Sequence, residues 1–272
     1  MRVAMLSQVF AGDGAPERLR EALRSTAGLG ADLVVLPELP CDEWVPSSRD
    51  ATDGDAERPG GPRHQLLATA AREARITLLG GAIVVDPDTG IRHNTALLFD
   101  EGGHLVHKYR KVHVPQEPGF FEQDHYEPGD EPPSPVGSLG MSIGLQICSD
   151  LNRPEGCHML AALGAEVILA PRATEAATFD RWELVIRANA MTSCCYVLSV
   201  NRPTPERGVA LGGPSIAVAP DGEVILRSEE SLAVVDLESD RVEQARDQYP
   251  GYLATPASLY ARGWRRAESP PP

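Results

Sequence analysis

MSIGLQICSD (141–150) is the stretch from which the rest of the chain can be read. Met141, Ile143, Leu145 and Ile147 recur at a period of two, while Ser142, Gly144, Gln146 and Cys148 share the other face. That alternation predicts a buried strand running into a sharp turn at Cys148. The thiol then stands at the carboxyl end of a strand, on its small, polar side, where open α/β sheets hold ligands. Alone, Cys148 reads as a small core filler, because free cysteines are among the most buried residues. LPELP (36–40) and KYRKVHVP (108–115) change that reading.

Outward from 141–150, strands are predicted at 2–10, 32–36, 76–85, 94–99, 104–109, 166–170, 195–200, 215–219, 223–226 and 232–235. Helices are predicted at 15–28, 62–74, 154–163, 179–193 and near 238–247. DLVVL (32–36) and EVILA (166–170) are continuous apolar runs, the mark of strands covered on both faces. Residues 41–61 and 112–138 are rich in Gly, Pro and acidic residues without a period, and loops of that length are usually functional. No repeat or linker interrupts the pattern, so one α/β domain is expected over 1–262. The tail 263–272, ending ESPPP, has little apolar area to bury and is expected to be mobile.

The 272 residues suffice for one large domain with a sizeable core. A net charge of -14 argues against nucleic acid or an anionic membrane as partner. The five cysteines (41, 148, 157, 194 and 195) show no CxxC spacing, so neither a disulfide framework nor a zinc ribbon is indicated. A reducing, cytoplasmic compartment fits, with no signal-peptide pattern in MRVAMLSQVF (1–10) and no apolar run of the ~20 residues that cross a bilayer. His93, His104, His107 and His113 lack metal-ligand spacing, and Gly212-Gly213 precedes a strand, not the helix of a phosphate loop. No cofactor or metal is expected.

Glu38, Lys111 and Cys148 each fall at a predicted strand end. A thiol is mostly protonated near neutral pH and needs a base to become a nucleophile. A carboxylate can take that proton, and an ammonium can meet the charge that develops on an attacked oxygen. Together with FFEQDHYEPGD (120–130), GAEVILAP (164–171), WELVIRANA (182–190), VNRP (200–203) and GGPSIAVAPDGEVI (212–225), these residues resemble the carbon–nitrogen hydrolase (nitrilase) superfamily. The resemblance spans roughly residues 2–236, with 109–130 most like the N-carbamoyl-amine amidases.

The resemblance implies a four-layer α-β-β-α sandwich and a cofactor-free thiol hydrolase acting on a small linear amide or ureido compound. In it Glu38 is general base and acid, Lys111 stabilises the oxyanion, Cys148 is the nucleophile and Glu122 positions lysine and substrate. Glu117 is a competitor for the last role that more readily faces solvent. It also implies a homodimer or larger homo-oligomer. Around the nucleophile, Ser149 offers a backbone N–H to the oxyanion, and Asn152, His125 and Trp44 are candidates for the pocket wall or mouth. True nitrilases carry an aromatic and a glutamate where Ser149-Asp150 stand, which leaves amide or ureido hydrolysis ahead of nitrile hydrolysis. Acyl transfer to an amine, or ligand binding without catalysis, are the remaining alternatives.

Arg172 follows the strand at 166–170 where relatives line the pocket. Its planar fork can clamp a substrate carboxylate, or it can pair structurally with Glu175 or Glu183. Trp182 and Ile186 read as core or subunit contact.

Overall fold

The computed structural model describes residues 1–268. The first half runs β1 (Arg2–Leu6), α1 (Ala15–Gly28), β2 (Leu33–Val35), β3 (Ala56–Glu57), α2 (Pro62–Ala74), β4 (Thr77–Val85), β5 (Arg92–Phe99) and β6 (Leu105–Arg110). The second half runs β7 (Val136–Ser138), β8 (Met141–Leu145), α3 (Pro154–Ala162), β9 (Val167–Leu169), α4 (Phe179–Ser193) and β10 (Tyr196–Ser199). Then follow β11 (Ser215–Val218), β12 (Val224–Ser228), β13 (Leu232–Asp236), α5 (Ser239–Asp247) and α6 (Ala257–Glu268). Prolines in the first turn open α1, α2 and α3, where a missing N–H is harmless and the fixed φ suits a helix. Residues 263–268, part of the tail expected to be mobile, complete the exposed helix α6, and 269–272 lie outside the described residues.

Two sheets form. One has the order β13-β1-β2-β4-β5-β6, with β3 added to β4, and the other β12-β11-β10-β9-β8-β7. At the centre of the first, β1, β2 and β4 are parallel, and at the centre of the second, β8, β9 and β10 are parallel. Helices α1 and α2 link the first set, and α3 and α4 link the second.

The period of two sorts the side chains into layers. Val3, Met5, Leu33, Val35 and Leu98 of one sheet pack on Ile143, Leu145, Val167, Leu169 and Leu198 of the other. The alternate residues Ala4, Leu6 and Val34 face Leu19 and Leu23 of α1 and Leu67 of α2. Ile168 and Val197 likewise meet Leu160 of α3 and Ile186 of α4. The result is α-β-β-α. Each buried leucine or valine contributes roughly 1.5–3 kcal/mol. Gly144 is needed at its place on β8, because a Cβ there would come within 2.7 Å of Leu160.

Strands β2, β6 and β8 all end at one edge of the sandwich, and the long loops gather there over Leu39, Trp44, Tyr126, Ala173 and Leu211. Two pieces of these regions escaped the sequence reading: β3 and β7 have two and three residues, too few to show a period.

Candidate active site

Glu38 follows β2, on a bend whose next residue, Leu39, takes φ 47°. Buried Arg202, from the VNRP stretch after β10, donates through Nη1 to the carbonyls of both Glu38 and Leu39 at 2.8 Å. Glu206 in turn neutralises Arg202, with Nε 2.8 Å from its Oε1. Lys111 follows β6, and its backbone N–H donates to Asn94 of β5 at 2.9 Å. Glu122 opens a one-turn 3-10 helix, Glu122–Asp124, inside the long loop after Lys111. Cys148 begins another 3-10 turn, Cys148–Asn152, with φ 47°, a left-handed value that a side chain rarely adopts. Such a backbone costs about 1–3 kcal/mol and persists only where its surroundings hold it.

These residues converge. The Lys111 ammonium donates to Glu38 Oε1 at 2.8 Å and to Glu122 Oε2 at 2.5 Å, and all three side chains are fully buried. Asn94 Nδ2 donates to Glu38 Oε1 at 2.8 Å and to the Tyr126 hydroxyl at 3.2 Å, and that hydroxyl donates to Glu122 Oε2. Glu38 Oε2 and Glu122 Oε1 are buried with no hydrogen-bond partner. Buried carboxylate oxygens are normally satisfied, so two orphans in one place mark groups aimed at something that binds there. The Cys148 thiol lies beside them, its sulfur donating weakly to the Ala173 carbonyl at 3.7 Å.

The electrostatics follow from burial. Burial and the charge of Glu38 push the Cys148 thiol well above its ordinary range, with Lys111 opposing them. The resting sulfur therefore carries its proton. Burial works against the Lys111 charge, but Glu122 and Glu38 outweigh it and raise the lysine. Two carboxylates share one ammonium, and burial lifts Glu122 to about 7, with Lys111 opposing and Glu38 adding to the rise. Folded Glu122 thus keeps a proton between about 4.5 and 7 that the unfolded chain has lost, so stability falls as pH rises across that window. Glu122→Gln cannot titrate. Its unfolding free energy, followed by urea melts from pH 4.5 to 7, is expected to decline less with pH than the wild type's.

A pocket of about 280 Å³ opens beside the thiol, lined among others by Glu122, Cys148, Ser149, Asn152, Arg181 and Trp182. Ser149 and Asn152 are thus on the pocket wall. Glu117 is exposed at the pocket mouth and takes no part in the ammonium cluster. Three other expectations are corrected. Arg172 is fully buried beneath the wall, donating to Ser199 Oγ at 3.0 Å, Thr174 Oγ1 at 2.6 Å and the Pro214 carbonyl. It neither faces the pocket nor pairs with Glu175 or Glu183; Glu183 holds Arg227 at 3.2 Å instead. Trp44 is buried behind the pocket, its Nε1 donating to the Gly119 carbonyl at 2.9 Å and its ring edge-on to Phe120. His125 is buried too, its Nε2 donating to the Ser48 carbonyl at 2.8 Å.

Cys148 also packs with Ile143, Leu145 and Ile147 in the inter-sheet core, not with the small, polar side to which alternation assigned it. The strand ends at Leu145 and the left-handed residue turns the side chain over. Asn94 and Tyr126, which tie the two glutamates, were missed, because a polar residue in a strand and a tyrosine in a loop carry no spacing signal. Trp182 packs on the core as expected and also forms part of the pocket wall. Among the described residues, no group of three or more His, Cys, Asp or Glu is placed to hold a metal, and no helix is long and apolar enough to cross a membrane.

The sequence model of the family described as "Carbon-nitrogen hydrolase" matches residues 10–247. The chain belongs to that family. This hydrolase is 31% identical over 248 residues to the omega-amidase of Homo sapiens, covering 88% of each chain. It is 28% identical to "Nitrilase homolog 2" of Dictyostelium discoideum, over 93% of this chain and 80% of the relative. Among solved structures, a carbon-nitrogen hydrolase from Helicobacter pylori G27 superposes with TM-score 0.81 at 21% identity, covering 96% and 97% of the two chains. A mutant amidase from Nesterenkonia sp. AN1 in complex with acrylamide superposes with TM-score 0.78 at 26% identity, covering 97% of each. The hydrolase therefore acts on non-peptide C–N bonds.

Proposed function

We propose that the hydrolase cleaves the primary amide of a small linear carboxamide through a thioester on Cys148. The observation that carries this is the buried ammonium of Lys111 between two carboxylates that each keep a free oxygen, behind a pocket that exposes a thiol. A mutant of the related Nesterenkonia amidase, in which acrylamide has added to the active-site cysteine, supports a reactive sulfur at this place.

Glu38 takes the proton of Cys148 as the sulfur attacks the carbonyl carbon. The oxyanion meets the Lys111 ammonium and the Ser149 N–H, which lies in the first turn of a short helix and so has no partner within it. The C–N bond breaks, the nitrogen takes the proton from Glu38, and ammonia leaves. Water then gives a proton to Glu38 as its oxygen attacks the thioester. The C–S bond breaks, the acid is released, and the proton returns to sulfur. Glu122 holds Lys111 through its Oε2.

Substrate selection is assigned to the rim. Arg181, on the first turn of α4, is exposed, lines the pocket and has no carboxylate within salt-bridge distance among the described residues. With Arg172 occupied elsewhere, Arg181 is the cation available to a substrate carboxylate. The favoured substrate is thus a monoamide with a carboxylate at its far end. Ammonium release is measured from such a monoamide, an uncharged amide of equal length, the matching N-carbamoyl acid and the matching nitrile. The monoamide is expected to lead, and Arg181→Ala to raise its KM by ~10–100-fold, the worth of a charge-assisted hydrogen bond. Equal KM values for charged and uncharged amides in the wild type remove Arg181 from recognition, and a nitrile turned over faster than its amide replaces the amidase reading.

A further inference from the structure

We propose that Asp150 is a positioning residue that sets the distance between the Lys111 ammonium and the Cys148 sulfur. Lys111 and Cys148 leave strands of different sheets, β6 and β8, which share no hydrogen-bonded ladder. Something else must hold their turns together. Asp150 is fully buried, and its Oδ1 accepts the backbone N–H of Val112 at 3.2 Å and of His113 at 2.9 Å. The His113 ring donates to the same oxygen from Nδ1 at 2.9 Å. Oδ2 accepts the Tyr109 hydroxyl at 3.0 Å and the Ile147 N–H at 3.1 Å.

Residues 109, 112 and 113 bracket Lys111, and residue 147 immediately precedes Cys148. One carboxylate therefore grips both turns. The side-chain hydrogen bonds between these two segments all end on Asp150 except one, from Ser149 Oγ to the His113 carbonyl. No lysine or arginine lies within salt-bridge distance of Asp150 among the described residues; the basic side chain in that range is the His113 ring. A buried carboxylate held by five N–H and O–H donors ties the segments together: Oδ1 holds the 112–113 turn, and Oδ2 bridges Tyr109 and the residue before Cys148. The same grip restrains the left-handed turn at Cys148, since the Asp150 N–H also closes back on the Ile147 carbonyl at 3.0 Å.

This inference rests on the thiol-amidase reading, but one of its readouts does not. Wild type, Asp150→Asn and Tyr109→Phe, each as the full chain, are compared in three measurements. These are kcat and KM for ammonium release, the rate at which iodoacetamide alkylates the Cys148 peptide, and the thermal midpoint. Asn keeps the size of Asp150 but turns an NH2 group toward one pair of donors. Its kcat is expected to fall ~100-fold, the usual effect of a misplacement near 1 Å, with KM unchanged and alkylation slowed. Tyr109→Phe removes a single donor and is expected to lower kcat by a smaller factor in the same pattern.

A folded Asp150→Asn enzyme with a lower midpoint but wild-type kcat and alkylation rate overturns the proposal and leaves Asp150 a structural brace. A raised KM with unchanged kcat overturns it in favour of a pocket-wall role. Should Asp150→Asn yield no folded protein, Tyr109→Phe decides, and wild-type kcat and alkylation in that variant overturn it. If no amide is hydrolysed by any form while the variants still differ from wild type in alkylation, the amidase reading has failed and the positioning role stands.

Discussion

Cys148→Ala is expected to lower ammonium release by about 10^5–10^6-fold, the range seen when the nucleophile of a covalent mechanism is removed. The fold is expected to survive. The sulfur makes one weak contact, to the Ala173 carbonyl at 3.7 Å, and alanine meets the same left-handed backbone at Cys148 that cysteine already tolerates. The loss is therefore chemical. Two measurements check this: ammonium release at saturating amide, and intact mass after rapid quench, where the wild type carries an acyl adduct and the variant none. Ammonium release from purified, folded Cys148→Ala within tenfold of wild type would end the mechanism. The nearly isosteric Cys148→Ser gives the same answer, since an unactivated hydroxyl is a far weaker nucleophile than sulfur.

Glu38→Gln is the second large effect. Its amide oxygen can still accept from Lys111 and Asn94, and its NH2 group takes the place of the oxygen that has no partner. The pocket should thus keep its shape while losing its proton acceptor. General base catalysis is worth about 10²–10⁴-fold, and Glu38 serves both halves of the reaction, so a fall near the upper figure is expected. Iodoacetamide labelling of Cys148 should then need a more alkaline pH than in the wild type. Retained turnover in Glu38→Gln together with loss in Glu122→Gln would transfer the base to Glu122, which also keeps an oxygen without a partner. Lys111→Met makes the contrast. It strands two buried carboxylates without a cation, and breaking a buried pair in this way costs roughly 3–5 kcal/mol. Lower stability and lost activity are expected together there, whereas Glu38→Gln separates them.

Much of the frame was legible because it depends on repetition. Helices α1, α2 and α4 begin and end at the residues that the sequence predicts, for each carries several turns of 3.6-residue period, and α1 and α2 have a proline in the first turn. The longer strands lie within a few residues of their expected limits for the same reason. The short β3 and β7 pieces offered nothing to count. Around the site, Glu38, Lys111, Glu122, Cys148, Ser149 and Asn152 were marked by motif, and the structure brings them to one pocket or directly behind it.

Arg172, Trp44 and His125 were misplaced because a motif locates a backbone, not the direction of a long side chain. Arg172 turns inward, since Ser199, Thr174 and Pro214 offer it three acceptors under the wall. Trp44 finds a carbonyl partner and an aromatic neighbour in the loop cluster. Arg181 and Trp182 reach the pocket because the first turn of α4 happens to cross its mouth.

By itself the sequence determined the longer strands of both sheets and helices α1 to α5, which of their faces are apolar, and which residue types stand at strand ends. Those are local properties, written in periods of two and 3.6. Only the tertiary structure decided that two sheets set Lys111 against both Glu38 and Glu122, that Asp150 joins the turn after one sheet to the turn after the other, and that Arg181 rather than Arg172 meets the pocket. These are contacts between residues far apart along the chain. They arise when the inter-sheet core closes and every buried charge must find a partner, a condition that no local spacing encodes.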